Sequence, residues 1–394
     1  MPSYSQFRRR GLTALTAGHF VSDFYATFLP ALIPVLIAEK GLSLTASGIL
    51  VLVFSVSANV LQPLFGYLVD KSGYTALLLW SLPLSAFFIC TVNFAPDYRW
   101  LLILVTLSGI GNSLFHPIAS SMTNKITSQH NPGLSLSIFI GGGNFGFAIA
   151  PAVVAFWLST YGLPALPWLM APGLVLAFFL YRTKLHHLQL VRKKTASIDR
   201  TTTWYRQPGI WLLNVAMGMR SWTQIALTTF LPVYMIQQLA YDPLTASSYL
   251  TFFLIGGACG GLTGGYFSDK IGYKRCVSFS LVLALLCYAI LCYLLSVNHV
   301  LFPIFLFLTG ALLQASMPSS IVWAQILLPQ NRSLASGMML GLSNGLGGIG
   351  AAGSGWFADL YGLPLMLLVT ILPVLFACLL TLQTPEANFS PPSE

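Results

Sequence analysis

The stretch GYLVDKSGY, residues 66–74, occurs again as GYFSDKIGY at residues 265–273, and six of the nine positions are identical. Three further short matches occur in the same order and at nearly the same spacing: LTAS at 44–47 and 244–247, FLP at 28–30 and 230–232, and YGLP at 161–164 and 361–364. The offsets between the copies lie between 199 and 202 residues. This constant offset predicts two parallel structural repeats.

The composition predicts an integral membrane protein. Of the 394 residues, 56% are hydrophobic and only 7% are charged, whereas a soluble globular domain has about 25% charged residues. A water-soluble fold of this length could not cover its surface with so few charges. Apolar runs of about 20 residues, long enough to span a bilayer, recur along the whole chain. This recurrence excludes a single anchor joined to a soluble domain.

The charged and cysteine residues exclude several other classes of protein. The formal net charge is +9, but the basic residues form short clusters between apolar runs and no stripe that would bind nucleic acid. The six cysteines have no CxxC or Cys/His spacing, so we expect neither a metal site nor a disulfide framework. No nucleotide-binding loop stands out, and we expect no cofactor. The basic N-terminus leads into an apolar run without a cleavage site, which predicts an uncleaved first span.

Hydropathy predicts an all-α fold of twelve membrane spans in two six-helix bundles. The first bundle comprises residues 1–183, a polar cytoplasmic linker comprises 184–207, and the second bundle comprises 208–394. The predicted spans are 11–38, 45–69, 74–95, 99–127, 132–159, 163–183, 208–238, 243–267, 273–296, 300–328, 332–358 and 361–383.

The distribution of Lys and Arg predicts the orientation. With the N-terminus inside, sixteen of the nineteen Lys and Arg residues lie on the cytoplasmic side, Lys40 and Arg99 lie outside, and Arg220 lies within span 7. Because cytoplasmic loops carry the excess of positive residues, both termini and the linker are predicted to be cytoplasmic.

The repeated stretch also carries a recognisable motif. It has the pattern G-x-x-x-D-(K/R)-x-G, and with twelve spans in two halves it resembles the signature of the major facilitator superfamily. The resemblance implies transport by alternating access and a latch between two conformations. In physical terms the first glycine would allow close helix approach, the last a tight turn, and the aspartate could face a helix N-terminus. The residues that fit are Gly66, Asp70, Lys71 and Gly73, and then Gly265, Asp269, Lys270 and Gly272. A generic cytoplasmic turn is the alternative.

Within that superfamily, two stretches resemble the fosmidomycin resistance protein group of drug exporters. They are GHFVSDFYATFLPALIPVL at 18–36 and GNSLFHPIASSM at 111–122. Span 5 partly resembles the glycine-rich signature of drug/proton antiporters, with Gly143, Gly146 and Pro151 for helix packing and a bend. Ala150 stands where a glycine usually precedes the proline. The resemblance implies efflux, antibiotic resistance and a bacterial cytoplasmic membrane. Many drug exporters carry an arginine in span 4 before its Gly-x-Gly, but LVTLSGIGNSLFHP at 104–117 has none. A mechanism built on that arginine therefore does not transfer to this chain.

Charged residues inside spans 1 and 7 predict the coupling site. At about 1.5 Å per residue, Asp23 lies about 18 Å from the cytoplasmic end of its span and Arg220 about 15 Å. His19 lies one turn before Asp23 on the same helix face. Such charges are costly in a bilayer and mark functional sites. We predict that His19 and Asp23 handle the proton and that Arg220 is a counter-charge or an anion site. The alternative is a permanent structural Asp–Arg pair.

Further polar residues in the spans are candidates for substrate contacts. They are His116, Asn112, Gln224 and Gln314. Each of them could instead form a hydrogen bond between helices.

These observations favour a secondary transporter over an enzyme. The predicted function is proton-coupled export of small drug-like or anionic compounds, driven by the proton gradient. A proton- or sodium-coupled uptake symporter, or a facilitator, is the alternative. The expected partners are a small-molecule substrate, protons and the lipid bilayer, and a monomer is sufficient.

Overall fold

The computed structural model describes residues 4–72, 74–127, 132–187, 204–296 and 300–386. Within these ranges the regular secondary structure is helical. Short 3₁₀ turns lie at both ends of the predicted linker, whose middle, residues 188–203, lies outside the described residues.

The helices form twelve passes, here numbered α1–α12 in chain order. The first six are α1 (Tyr4–Ala26 and Phe28–Lys40), α2 (Leu44–Ser55, a π-helical turn Val56–Val60, and Gln62–Ser72), α3 (Leu77–Cys90), α4 (Tyr98–Thr127), α5 (Pro132–Tyr161) and α6 (the 3₁₀ segment Leu163–Met170 and Ala171–Thr183). The second six are α7 (Pro208–Gln237), α8 (Pro243–Ile271), α9 (Tyr273–Ser296), α10 (Phe302–Leu327), α11 (Arg332–Gly337, a π-helical turn Met338–Leu342, and Ser343–Tyr361) and α12 (Leu363–Val369 and Ile371–Gln383).

Each pass lies on one of the twelve predicted spans, so the all-helical membrane fold is confirmed. One difference is in α3, which ends at Cys90 and is followed by a 3₁₀ turn, Val92–Phe94, where the sequence predicted a continuous span. In the described part of the chain, nine segments are long and apolar enough to cross a membrane. α3 is apolar but shorter.

The repeated YGLP sequence forms the same turn twice. Gly162 and Gly362 have φ of 75° and 87°, a backbone region in which a side chain is strained. Each glycine N–H donates to a carbonyl one turn earlier, at Leu158 and Ala358, and so ends α5 and α11 in the same way. The sequence repeat is therefore also a structural repeat at these positions.

At the interruptions of α6 and α12, the hydroxyl of a buried tyrosine forms hydrogen bonds with backbone groups. The Tyr25 hydroxyl donates to the Leu169 carbonyl and accepts from the Gly173 N–H, both at 2.9 Å. Tyr288 donates to the Leu367 carbonyl at 2.6 Å and bonds the hydroxyl of Thr370. Because unpaired backbone groups are costly in lipid, these hydroxyls stabilise the two interruptions.

The chain divides into two compact units. Unit 1 holds the residues up to Leu32 and those from Val56 through the rest of the first half, and unit 2 holds Ile33–Ser55 with the second half. In unit 1, α1 packs against α4 and α5. In unit 2, α7 packs against α11 and α12, and α10 packs against α8 and α9. Residues 33–55 therefore group with the second half, although the sequence repeat assigns them to the first.

Small residues explain why the start of α2 packs on α11 in unit 2. A Cβ on Gly48 would lie 2.8 Å from the Ala351 carbonyl oxygen, closer than side chains pack. The Asp359 carboxylate, near the end of α11, accepts hydrogen bonds from the backbone N–H of Leu44 at 3.0 Å and of Thr45 at 2.8 Å. α11 therefore contributes to the N-terminal cap of α2, together with Ser43, whose hydroxyl accepts from the Ala46 N–H at 3.0 Å.

Candidate functional site

α1 carries two ionisable side chains that face each other. His19 Nε2 lies 3.3 Å from Asp23 Oδ2, as their four-residue spacing predicts. Asn112 of α4 fixes this part of α1, because its amide donates to both the carbonyl and the hydroxyl of Ser22 at 3.0 Å. Asn112 thus makes the hydrogen bond between helices that was the alternative to a substrate contact.

A second histidine reaches the same carboxylate from α4. His116 Nε2 lies 3.3 Å from Asp23 Oδ1, and the rings of His19 and His116 meet edge to face at 5.2 Å. The exposed fraction of the side chain rises from 10% for His19 to 15% for Asp23 and 24% for His116. We call these three residues the His–Asp–His cluster. Its most accessible member is His116.

A backbone carbonyl determines which nitrogen of His19 is protonated. His19 Nδ1 lies 2.8 Å from the carbonyl oxygen of Phe139 in α5, and a carbonyl can only accept, so Nδ1 must carry hydrogen. Without a further proton, His19 Nε2 would then present a lone pair to the Asp23 carboxylate. Two facing acceptors repel each other. The pair is therefore stable when one proton lies on Nε2 or on the carboxylate.

α5 packs closely against the His–Asp–His cluster. The Phe139 ring stacks on the His19 ring at 4.2 Å. A Cβ on Gly143 would lie 2.5 Å from His19 Nε2 and 2.6 Å from Asp23 Oδ2. A Cβ on Gly146 would overlap the backbone of Phe20, so α5 packs tightly on α1 at this glycine, as predicted. Pro151 lies within the same helix.

The His–Asp–His cluster could also hold a metal ion. The donor atoms of its three residues lie within 4.8 Å of one another, and two imidazoles with one carboxylate suit a divalent transition metal. The spacing of the cysteines and histidines in the sequence predicted no metal site, and His116 lies 93 residues after Asp23. The absence of a metal stays a prediction, and the experiments below include a chelator.

Unit 2 contains a buried cation on α7. Arg220 has 2% exposed surface, and its Nε donates to the Leu313 carbonyl of α10 at 2.7 Å. Its other contacts are the side-chain oxygens of Gln314 and Ser221. All of these partners are neutral, and a guanidinium has more N–H donors than they engage.

Other polar residues of α7 have separate surroundings. Gln224 is one turn beyond Arg220, and in the described part of the chain its buried Oε1 has no hydrogen-bond partner. Asn214 donates to the Met338 carbonyl at 2.8 Å, where α11 makes its π-helical turn. Gln314 and Gln224 thus lie in unit 2 with Arg220, whereas His116 and Asn112 lie in unit 1.

The predicted latch is described mainly in its second copy. Gly73 lies outside the described residues, as do the side chains of Asp70 and Lys71. In the second copy Gly272 has φ of 91°, as a tight turn requires. Lys270 donates to the Tyr266 hydroxyl at 2.6 Å, and Tyr273, at the start of α9, donates to Asp269 at 3.5 Å.

The first glycine of the motif does not bring helices as close as the sequence suggested. A Cβ on Gly66 would lie 3.5 Å from Pro117, and one on Gly265 would lie 3.9 Å from Pro318, which are ordinary packing distances. Close approach of α8 to α10 occurs instead at Gly256, Gly260 and Gly264, where a Cβ would meet the α10 backbone. Among the described residues there is thus no close helix contact at Gly66, and the latch role of the motif stays a prediction.

Comparison with known proteins identifies the family. The sequence profile of the Major Facilitator Superfamily matches residues 15–249 and 210–394, which together cover almost the whole chain. The chain belongs to the Major Facilitator Superfamily. It is therefore a multi-pass membrane transport protein that acts on small molecules, and not an enzyme.

Two bacterial members of this superfamily are similar along most of their length. The fosmidomycin resistance protein of Escherichia coli is 27% identical over 357 residues, which are 88% of this chain and 86% of that protein. An uncharacterized MFS-type transporter of Bacillus subtilis, YfnC, is 31% identical over 368 residues, or 91% and 88% of the two chains. The predicted resemblance to the superfamily and to the fosmidomycin resistance group is confirmed at this level.

Solved superfamily structures share the fold. A mutant form of the nucleoside transporter NupG has a TM-score of 0.80, with 16% identity, over 95% of this chain and 99% of its own. A bacterial homolog of the lysosomal transporter Spinster has a TM-score of 0.76, also with 16% identity, over 96% and 97% of the two chains.

The sequence did not reveal the contact of His116 with Asp23 in the His–Asp–His cluster. It paired His19 with Asp23 but placed His116 among the substrate contacts, whereas His116 contacts Asp23 directly. The signal available was Pro117, which interrupts the backbone bonding of α4 beside His116. The Phe139 carbonyl had no signal, because any residue presents one.

Proposed function

We propose that the chain is a proton-coupled antiporter that exports small drug-like or anionic compounds by alternating access. The His–Asp–His cluster carries the coupling proton. The observation that supports this most directly is the hydrogen bond from His19 Nδ1 to Phe139, since it leaves the His19–Asp23 contact dependent on one exchangeable proton. Proton coupling requires a group that can be charged in one state and neutral in another.

Arg220 is proposed to provide the charge that attracts an anionic compound. Its contacts in unit 2 are neutral oxygens, and a buried cation without a counter-charge is costly. An anionic group would offset that cost and could accept the N–H donors that remain. Gln314, which contacts Arg220, and Gln224, one turn away, are the proposed polar partners of the compound.

Export as the direction of transport is supported by similarity alone. One relative is named a fosmidomycin resistance protein, and a resistance protein of this superfamily most simply acts by efflux. The cluster itself would serve uptake equally well. The direction of proton movement that a compound triggers separates antiport from symport.

The proposed setting is the bacterial cytoplasmic membrane with both termini on the cytoplasmic side. The excess of Lys and Arg in the corresponding loops supports this orientation. The proposed protein acts as a monomer, and the latch motif Gly265–Gly272 is proposed to close one of its two conformations.

The test is proton movement in proteoliposomes that contain a pH-sensitive dye. Fosmidomycin and a panel of organic anions and neutral drugs are added under an imposed pH gradient to the wild type and to Asp23→Asn. The introduced asparagine can donate an N–H to His19 Nε2, so the contact survives without the exchangeable proton. We expect a compound-triggered proton flux in the wild type and its loss in Asp23→Asn.

Glu39→Gln is the matched control, because it removes an exposed carboxylate outside the cluster. Its flux should equal that of the wild type. Repeating the assay with a chelator distinguishes protons from metal, since a metal-dependent flux would disappear. Equal, pH-independent transport by wild type and Asp23→Asn would disprove the proton role. Proton entry with the compound would establish symport.

A further inference from the structure

We infer that Phe139 and Gly143 of α5 are positioning residues for the coupling proton, an inference that rests on the proposed function. Through them α5 determines whether the His19–Asp23 pair must hold a proton. Neither residue touches the proton. They act by fixing the tautomer of His19 and its distance from Asp23.

The first contact is the carbonyl of Phe139. Phe139 is buried, with 3% exposed surface, and its ring stacks on His19 while its carbonyl accepts the Nδ1–H bond. As long as this bond exists, only Nε2 of His19 can share a proton with Asp23. Without that shared proton, the neutral His19 ring would present the lone pair of Nε2 to the Asp23 carboxylate.

Breaking that bond would release one proton. With Nδ1 free, a neutral His19 can carry its hydrogen on Nε2 and donate it to the ionised Asp23. The pair then needs one proton fewer than when Nδ1–H is held by Phe139. A movement of α5 away from α1 would therefore release one proton, and the return movement would take one up.

The second feature is the close approach of Gly143, which has no side chain, to His19 and Asp23. A Cβ there would lie within 2.6 Å of both His19 Nε2 and Asp23 Oδ2, the two atoms that share the proton. The α5 backbone packs closely on α1 on both sides of position 143, since a Cβ on Gly142 would lie 2.9 Å from the Thr16 carbonyl and one on Gly146 would meet the Phe20 carbonyl. A side chain at position 143 would therefore separate His19 from Asp23.

Charge does not explain the influence of α5 on the cluster. The ionisable groups that face Asp23 are His19 on its own helix and His116 on α4. The α5 residues that contact the cluster, Phe139 and Gly143, are uncharged. Their effect on the proton is thus geometric.

The chain offers a matched pair of variants. Gly143→Ala places a methyl group between the two proton-sharing atoms, whereas a Cβ on Gly141, two residues earlier on α5, has nothing within 4 Å. Compound-triggered proton flux is measured for both between acidic and alkaline pH. We expect Gly143→Ala to move the midpoint of the pH profile to lower pH by about one unit. Gly141→Ala should match the wild type.

Isotope-edited NMR of the histidine ring nitrogens tests the same inference without transport, and in the wild type alone if Gly143→Ala fails to fold. We expect His19, assigned by its loss in His19→Gln, to carry hydrogen on Nδ1 below the midpoint of the pH profile and, above it, to be neutral with hydrogen on Nε2 alone. A neutral His19 with hydrogen on Nδ1 alone above the midpoint would mean that the bond to Phe139 does not require the pair to hold a proton, and it would overturn the inference, as would identical pH profiles for Gly143→Ala and Gly141→Ala. In either case Asp23→Asn would still abolish the flux if the proposed function holds.

Discussion

The two halves of the repeat place charges of opposite sign on corresponding helices. α1 and α4 of the first half hold Asp23 between two imidazoles, and α7 and α10 of the second half hold Arg220 among neutral oxygens. A carboxylate with two imidazoles can gain or lose protons near neutral pH. A guanidinium stays charged. One scaffold has thus acquired an exchangeable charge in one half and a permanent charge in the other.

The two halves also differ at the starts of α2 and α8, although both starts have the sequence LTAS. Asp242 caps α8 from its own chain segment, and its side chain accepts from the Thr245 N–H at 3.0 Å. Hydrogen bonds from Thr245 hold the pKa of Asp242 below its ordinary value. The corresponding residue before α2 is Leu42, so the N–H groups of Leu44 and Thr45 bond to Asp359 of α11 instead, while Ser43 accepts from the Ala46 N–H. The same local sequence therefore depends on a distant helix in one half only.

The largest expected effect on anion transport comes from removing the permanent charge. In Arg220→Gln, and also in Arg220→Lys, we expect transport of organic anions to fall at least about tenfold, because a charge-assisted hydrogen bond contributes about 1.5–3 kcal/mol. Lysine keeps the charge but loses the forked donor geometry. The measurement is uptake of a labelled anion into inverted vesicles, with a neutral drug measured in parallel.

Arg99→Gln is the control for that experiment, because it removes a cation outside the proposed site. It should leave anion transport unchanged. Thermal unfolding in detergent identifies any variant that is merely misfolded. Wild-type anion transport by a folded Arg220→Gln would remove the proposed difference in role between the two halves.

A smaller effect is expected from His116→Gln in the exchangeable half, where the two histidines differ in accessibility. His116→Gln keeps an N–H donor near Asp23 but cannot take up a proton, whereas His19→Gln also loses the ring that Phe139 holds. We expect His19→Gln to abolish the proton flux. His116→Gln should keep the flux within about twofold at neutral pH and lose its increase at acidic pH.

The pH profile of compound-triggered flux measures this difference. Ser22→Ala serves as a control, because it removes a hydroxyl that bonds Asn112 beside the cluster without changing an ionisable group. Identical profiles for the two histidine variants would mean that the imidazoles are equivalent and that accessibility has no role.

The sequence predicted the fold well because the fold depends on patterns that lie within single segments. Hydropathy located twelve passes, and the repeated YGLP helped to predict a structural repeat, with which the matching positive φ of Gly162 and Gly362 agrees. Spacing on one helix was enough to predict the contact of His19 with Asp23. These features need no knowledge of which helices are neighbours.

The rest of the site depends on contacts between helices, which spacing does not encode. His116 reaches Asp23 from 93 residues further along the chain, and Phe139 contributes a backbone carbonyl that any residue would offer. Gly143 was noticed as part of a glycine-rich motif, but the atoms it faces were not. Gly265 was assigned a close approach that Gly260 and Gly264 make instead. Residue type alone did not distinguish the glycines that make close helix contacts from those that do not.

The smallest expected effect concerns the two helix starts. Asp359→Ala removes the acceptor for the Leu44 and Thr45 N–H groups, and we expect it to destabilise the protein by about 1–2 kcal/mol, as for other lost N-caps. Asp242→Ala should cost less, because the Asp242 side chain makes one backbone hydrogen bond whereas Asp359 makes two. Thermal unfolding in detergent is the measurement.

Leu42→Asp turns this difference into a rescue experiment. It gives α2 the aspartate that α8 has at the corresponding position, so the N–H of Thr45 gains a local acceptor. In the Asp359→Ala background, Leu42→Asp should restore most of the lost melting temperature. Adding it to Asp242→Ala should restore nothing, because the missing cap is then on α8. If the double variant with Asp359→Ala melts no higher than Asp359→Ala alone, Asp359 stabilises the protein by a route other than capping α2.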